Sequence, residues 1–192
     1  MTGIKLLITD FDGTLVNTFA ANLAAYQQAF AEVGLSLTEA QYRDAFGLRF
    51  DKFMAQAGVE DKSISSKIRE LKGCYYPEYF DRLIVNRPLL EMLRAFRRGG
   101  GRTAIASTAR RINLENALAY IGAREDFDLI LAGEDVVEGK PSPEIYRTVL
   151  DRMGVAPYEA IVFEDSAVGM ASAEAAGISY IEIKDSFYGD RG

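Results

Sequence analysis

Residues 4–15 read Ile-Lys-Leu-Leu-Ile-Thr-Asp-Phe-Asp-Gly-Thr-Leu. Ile4 to Thr9 is a short, nearly all-apolar run, the pattern of a strand buried on both faces of a parallel sheet. It runs into Asp10 and Asp12, two residues apart, so both carboxylates are able to face one side before the chain turns at Gly13. One acid of such a pair can attack phosphorus while the other manages protons. The plainer alternative is a turn rich in Asp and Gly.

Four more apolar runs follow, at Thr103 to Ala106, Asp128 to Leu131, Ala160 to Phe163 and Ser179 to Ile183. Between them, Leu89 to Arg97, Ile112 to Ile121, Pro143 to Met153 and Val168 to Ala176 carry apolar residues at helical spacing. Pro88 and Pro143 suit helix beginnings, and Gly99, Gly122, Gly154 and Gly177 suit helix ends. The alternation predicts an α/β fold: a Rossmann-like parallel sheet of five or more strands with helices on both faces. Phe19 to Phe80 breaks the pattern. It is helical throughout, with Leu23, Tyr26 and Phe30, then Phe46, Phe50 and Phe53, then Ile64, Ile68 and Leu71 on apolar faces. An all-helical cap over residues 17–82, inserted after the first strand into a core formed by 1–16 and 83–192, is therefore expected. Following the first strand's loop, it is expected over the carboxyl ends of the strands, where open α/β sheets bind ligands.

Composition narrows the chemistry. The 192 residues suit one core with a modest insertion, and 28 acidic against 22 basic residues give a formal charge of −6, which disfavours nucleic acid as a partner. Cys74 is the sole cysteine, so no internal disulfide can form, and the position six residues on, where a thiol phosphatase needs arginine, is Phe80. Lys5 and Asp10 interrupt any signal-peptide-like stretch, and no apolar run approaches the ~20 residues of a membrane span. A cytoplasmic protein, a monomer or small homo-oligomer without membrane contact, is expected. There is no histidine at all. Histidine triads, phosphohistidine chemistry and histidine-bearing zinc sites are excluded, leaving acid–base work to carboxylates.

Three further stretches carry candidate chemistry. Ala104-Ile105-Ala106-Ser107-Thr108 closes a strand with two hydroxyls, and a hydroxyl with the next backbone amide can cradle phosphate oxygens, although helix capping would use the same residues. Gly139-Lys140-Pro141-Ser142-Pro143 is no nucleotide-binding loop, because Gly133 lies one residue too early and Pro141 replaces the hydroxyl metal ligand. Lys140 beside a rigid turn still suits a fixed positive charge against phosphate, unless it is simply solvated. Phe163-Glu164-Asp165-Ser166 ends a buried run with adjacent acids that call for a cation, or for a capping role of Asp165 or Ser166. A calcium loop starting at Asp10 fails, since its sixth and twelfth positions are Leu15 and Ala21.

Taken together, the order Asp-x-Asp-Gly-Thr, Ser, Lys-Pro, Glu-Asp resembles the four motifs of the haloacid dehalogenase superfamily. The helical insertion and the wording around Lys140 and Glu164 look like the subgroup containing phosphoglycolate phosphatases and beta-phosphoglucomutases. The resemblance implies a magnesium-dependent phosphatase acting on a small phosphorylated metabolite. Asp10 would be the nucleophile forming an aspartyl phosphate, and Asp12 the acid and then the base. Magnesium would sit among Asp10, the Asp12 carbonyl and Asp165, with Glu164 as ligand or neighbouring acid. Ser107, the Thr108 amide and Lys140 would bind the phosphoryl oxygens.

Two departures bear on the reaction. Asn17 stands where the subgroup has aspartate, and Asn22 stands about where the mutase relatives place a cap histidine, which favours hydrolysis over phosphomutase activity. A catalytically silent ligand- or partner-binding member is the remaining alternative, disfavoured by the intact acids. Asp12 separates the chain from the metal-free dehalogenases. Asn22, Arg49 and Arg110 are the candidates for substrate selection. Arg110 and Arg111 open a helix with unfavourable charge, which calls for an anion nearby. Tyr75, Tyr76, Tyr79 and Phe80 are expected to pack the cap.

Overall fold

The computed structural model describes residues 3–184, and the chain divides into two compact units, 1–17 with 84–192 and 18–83. In the first unit, β1 (Leu6–Thr9), β4 (Arg102–Ala106), β5 (Leu129–Leu131), β6 (Ala160–Glu164) and β7 (Ser179–Glu182) form one sheet in the order β5-β4-β1-β6-β7. Every pairing is parallel, and β1 lies at the centre, with Ile8 opposite Ala104 on one side and Val162 on the other. Helices α5 (Arg87–Arg98), α6 (Arg111–Tyr120), α7 (Glu144–Met153) and α8 (Ala167–Ala175) connect the strands. They cover both faces, as right-handed crossovers between parallel strands require. Leu6, Ile8, Ala104, Ala106 and Val162 pack with Ile145, Tyr146 and Val149 of α7 and Ala173 of α8. The alternating residues Leu7 and Ile105 are buried too, so β1 and β4 have no solvent face.

The strand at Ser179–Ile183 departs from expectation. All four residues of β7 are exposed among the described residues, and β7 is an edge of the sheet with β6 as its pairing strand. A second departure is a two-residue ribbon. Val16–Asn17 (β2) and Ile84–Val85 (β3) pair antiparallel where the chain leaves the core unit and where it returns. Asn86 anchors that return: its amide donates to Leu15 O, its side-chain nitrogen donates to Thr14 O at 3.2 Å, and its side-chain oxygen caps α5 by accepting from Leu89 N. The sequence carried no periodic signal for elements this short.

The second unit contains α1 (Phe19–Glu32), α2 (Glu39–Ala45), α3 (Phe50–Gln56), α4 (Lys62–Tyr75) and a 3₁₀ segment at Tyr76–Arg82. Thr38 and Gln41 form a reciprocal capping box on α2, and Asp61 caps α4. Phe30, Tyr42, Phe53, Met54 and Ile68 form its buried core. Tyr76 and Phe80 pack edge to face at 5.0 Å, while the Tyr79 hydroxyl donates to Gln28 at 2.7 Å, so these aromatics pack their own unit. Among the described residues no helix is long and apolar enough to cross a membrane.

Candidate active site

The parallel register brings several candidate residues together at the carboxyl ends of neighbouring strands. Asp10 follows β1, and its amide donates to Phe163 O of β6 at 3.0 Å, which sets it beside Glu164. Ser107 follows β4, and Lys140 arrives from the loop before α7. Gly13 makes the turn after Asp10 possible: its φ is +92°, and a Cβ there would lie 2.1 Å from Asp165 Oδ2. Thr14 Oγ1 then donates to Asp165 Oδ1 at 2.7 Å.

Lys140 is the hub. Its side chain is 4% exposed, against the solvated alternative. Its ammonium donates to Asp10 Oδ1 at 2.7 Å and to Ala106 O at 3.0 Å, and makes a third contact to Glu164 Oε1. All three protons of the ammonium are thus engaged. Burial alone would lower the lysine's pKa, but Asp10, Tyr146 and Glu164 reverse this and hold it well above its usual value.

Glu164 is completely buried and accepts five donors. Oε1 takes Lys140 and the Tyr146 hydroxyl, the latter at 2.9 Å. Oε2 takes the amides of Asp165 and Ser166 and the Ser166 hydroxyl, at 3.1, 3.2 and 3.1 Å. Ser166 also caps α8 by accepting from Gly169 N at 3.1 Å, so capping and acid-holding coexist in one residue. Gly169 makes this packing possible, since a Cβ there would lie 1.9 Å from Glu164 Oε1.

The acids have an excess of negative charge. Asp10, Glu164 and Asp165 each offer a carboxylate oxygen, and these atoms lie within 4.8 Å of one another. Burial pushes Asp10 well above the usual carboxylate range against the pull of Lys140, and the charges of Glu164, Asp165 and Asp12 add to the rise. Burial, reinforced by Glu164 and opposed by the Thr14 hydrogen bond, raises Asp165 to about 6. Three acids around one cation in a poorly hydrated place suit a hard divalent ion bound by oxygen. Asp10 and Asp165, with one side-chain donor each, have more open oxygens for it than Glu164.

Ser107 is buried, and its Oγ accepts from Ala109 N at 3.0 Å, while Thr108 is exposed. Gly133 packs tightly here, since a Cβ would stand 2.6 Å from Thr108 O. Asp12 is half-buried and bridges to Val16. The anions called for by Arg110 and Arg111 are the chain's own: Glu134 accepts from the Arg111 amide at 2.9 Å and lies 3.9 Å from Arg110, and Asp135 pairs with the Arg111 guanidinium. Asn22, buried on α1, and Arg49, which precedes α3 at 3.8 Å from Asp51, belong to the helical unit. Sequence reading missed Thr14, Tyr146 and Gly169. Tyr146 had no signal of its own, because it sits on the apolar face of α7 with Ile145, Val149 and Leu150.

The chain's relatives are consistent with this geometry. The CbbY protein of Cereibacter sphaeroides is 31% identical over 207 residues, spanning 96% of this chain and 86% of the relative. The phosphorylated carbohydrates phosphatase of Thermotoga maritima is 31% identical over 185 residues, spanning 93% and 84%. A crystal structure of a CbbY mutant from Rhodobacter sphaeroides in complex with xylulose-(1,5)bisphosphate matches with a TM-score of 0.86 at 27% identity, over 96% of this chain and 88% of that one. The family profile described as haloacid dehalogenase-like hydrolase matches residues 7–183, a span that holds all four motif stretches. This protein therefore belongs to the haloacid dehalogenase-like hydrolase family.

Proposed function

We propose that this protein is a phosphatase of small phosphorylated sugars that transfers the phosphoryl group to Asp10 and then hydrolyses the aspartyl phosphate. The observation that carries the reading is the Asp10 carboxylate, buried at a strand end, 2.7 Å from a buried ammonium and clustered with Asp165. A carboxylate approaching a phosphate dianion meets strong repulsion unless cations neutralise the phosphoryl oxygens. Lys140 supplies one such charge, and Ser107 with the Thr108 amide supplies hydrogen-bond donors.

Magnesium, held by Asp10, Asp165 and the Asp12 carbonyl with Glu164 alongside, would supply Lewis-acid stabilisation of the phosphoryl charge. Asp12 protonates the leaving sugar oxygen and then takes a proton from the attacking water. Segment 17–82 is read as a cap that selects substrate, with Asn22 and Arg49, and with Arg110 of the core. The sugar preference draws on relatives named for phosphorylated carbohydrates and crystallised with a sugar bisphosphate. Asn22 in place of a histidine favours hydrolysis.

The test is phosphate release from a panel of sugar phosphates with magnesium, alongside Asp10→Asn and mass detection of the Asp10 adduct. Release from at least one sugar phosphate is expected, lost in Asp10→Asn with the fold retained. Turnover persisting in Asp10→Asn would reject the nucleophile assignment.

A further inference from the structure

Tyr146 lies on α7 six residues beyond Lys140, and it is completely buried in the apolar cluster between α7, α8 and the sheet. A phenylalanine would fill the same space, and a buried hydroxyl costs free energy unless it finds a partner. The partner here is Glu164 Oε1, the same oxygen that receives Lys140, and the tyrosine ring lies 5.1 Å from the lysine ammonium.

This sharing has a consequence when a phosphoryl group binds. All three protons of Lys140 already have acceptors: Asp10, Ala106 O and Glu164. To meet a phosphoryl oxygen, the ammonium must release one of them. The Ala106 carbonyl belongs to the fixed main chain of β4. Leaving Glu164 without Lys140 would leave Oε1 of a fully buried carboxylate without a donor, unless another group stays on it. Oε2 cannot rotate into the gap, because the amides of Asp165 and Ser166 and the Ser166 hydroxyl pin it. The Tyr146 hydroxyl is the donor that stays.

Resting on the phosphatase reading above, we propose that Tyr146 is a positioning residue: its hydroxyl holds Glu164 Oε1 so that Lys140 is free to turn to the phosphoryl oxygens. Without it, Glu164 competes harder for the ammonium, and phosphate affinity and turnover fall together.

The experiment compares Tyr146→Phe with Val149→Ala, which lies one turn along the same helix in the same cluster and has no polar side-chain atom to offer Glu164 or Lys140. For each, kcat and KM are measured on a sugar phosphate, the Kd of inorganic phosphate is measured with magnesium by calorimetry, and Tm is recorded. Tyr146→Phe is expected to weaken phosphate binding and lower kcat, each about tenfold, the low end for a hydrogen bond to a charged group. Val149→Ala is expected to lower Tm at least as much while leaving phosphate Kd and kcat unchanged at 25 °C. Wild-type Kd and kcat in Tyr146→Phe, or equal losses in Val149→Ala, would overturn the proposal. If the wild-type protein binds phosphate but hydrolyses nothing, the phosphatase reading fails, and the phosphate Kd of the two variants still decides the role of Tyr146. If it binds no phosphate either, both fail.

Discussion

Replacing Lys140 with methionine removes one charge and little volume, and its effects can be worked out from the contacts. The ammonium is 4% exposed and holds two carboxylates whose side chains are 10% and 0% exposed. Removing one partner of a buried ion pair costs roughly 3–5 kcal/mol, because the other charge stays buried and uncompensated. For a chain of this size each kcal/mol lowers Tm by about 2–4 °C, so a loss of roughly 6–20 °C is expected in chelator. A carboxyl that has lost its cation in a buried site has its pKa raised in the folded state, so the variant's folded form is favoured when that group is protonated. Its deficit should therefore grow as pH rises from 5 to 8. Magnesium should recover part of it, by about 2.7 kcal/mol at a hundred times its dissociation constant, since a divalent ion restores positive charge to the acids. Turnover should not recover, and a loss of roughly 10²–10³ in kcat is expected from removing a donor to the phosphoryl charge. Thermal unfolding at several pH values, with chelator and with magnesium, together with phosphate release, tests each step. A Tm within 2 °C of wild type in chelator, or unchanged turnover, would refute the claim that Lys140 neutralises these acids.

Two other changes probe different parts of the structure. Gly169→Ala places a Cβ 1.9 Å from Glu164 Oε1, and both the carboxylate and the α8 backbone are too constrained to yield, so a drop of about 1–3 kcal/mol in urea unfolding is expected together with reduced activity. Wild-type stability would show that Glu164 is free to move. Away from the site, Asp128 accepts from Thr103 N at 2.9 Å and from Arg97 at 2.8 Å. Burial would raise its pKa, but these two donors outweigh burial and hold it below the usual value. A carboxyl depressed in the folded state stabilises it above its unfolded pKa and loses that contribution as pH falls through the lower native value. The stability gap between wild type and Asp128→Ala should therefore be full at pH 7 and close below about pH 4. A gap that persists unchanged at pH 2 would show that the difference is packing rather than charge.

How much was legible beforehand differs between elements. The apolar runs at Ile4–Thr9 and Ala160–Phe163 identified adjacent central strands because residues buried on both faces have no polar alternation to confuse the reading. The capping logic carried across as well, with Pro143 at the N-cap of α7 and Gly154 left-handed at φ +59° beyond its end. The run at Ser179–Ile183 read as buried, but Ile183 alone of it is buried while Ser179–Glu182 form an exposed edge strand, since apolar composition does not say which strand ends the sheet. The two-residue ribbon of β2 and β3 was invisible, being held by partners 67 and 69 residues apart and by Asn86 rather than by any local pattern.

The sequence by itself determined the kind of chemistry available. A chain without histidine and with a single cysteine, carrying acids at strand ends and a lysine beside prolines, has carboxylates and the ammonium of Lys140 to work with there. Only the tertiary structure decided how they are joined. Lys140 meets Asp10 across 130 residues and Glu164 across 24, and no periodicity reports contacts at such separations. The same limit hid Tyr146, because its ring follows the helical pattern of the core while its hydroxyl answers to a carboxylate on another strand. Periodicity records which face of an element is dry, whereas hydrogen bonding depends on where a single atom points once the sheet has brought distant strands side by side.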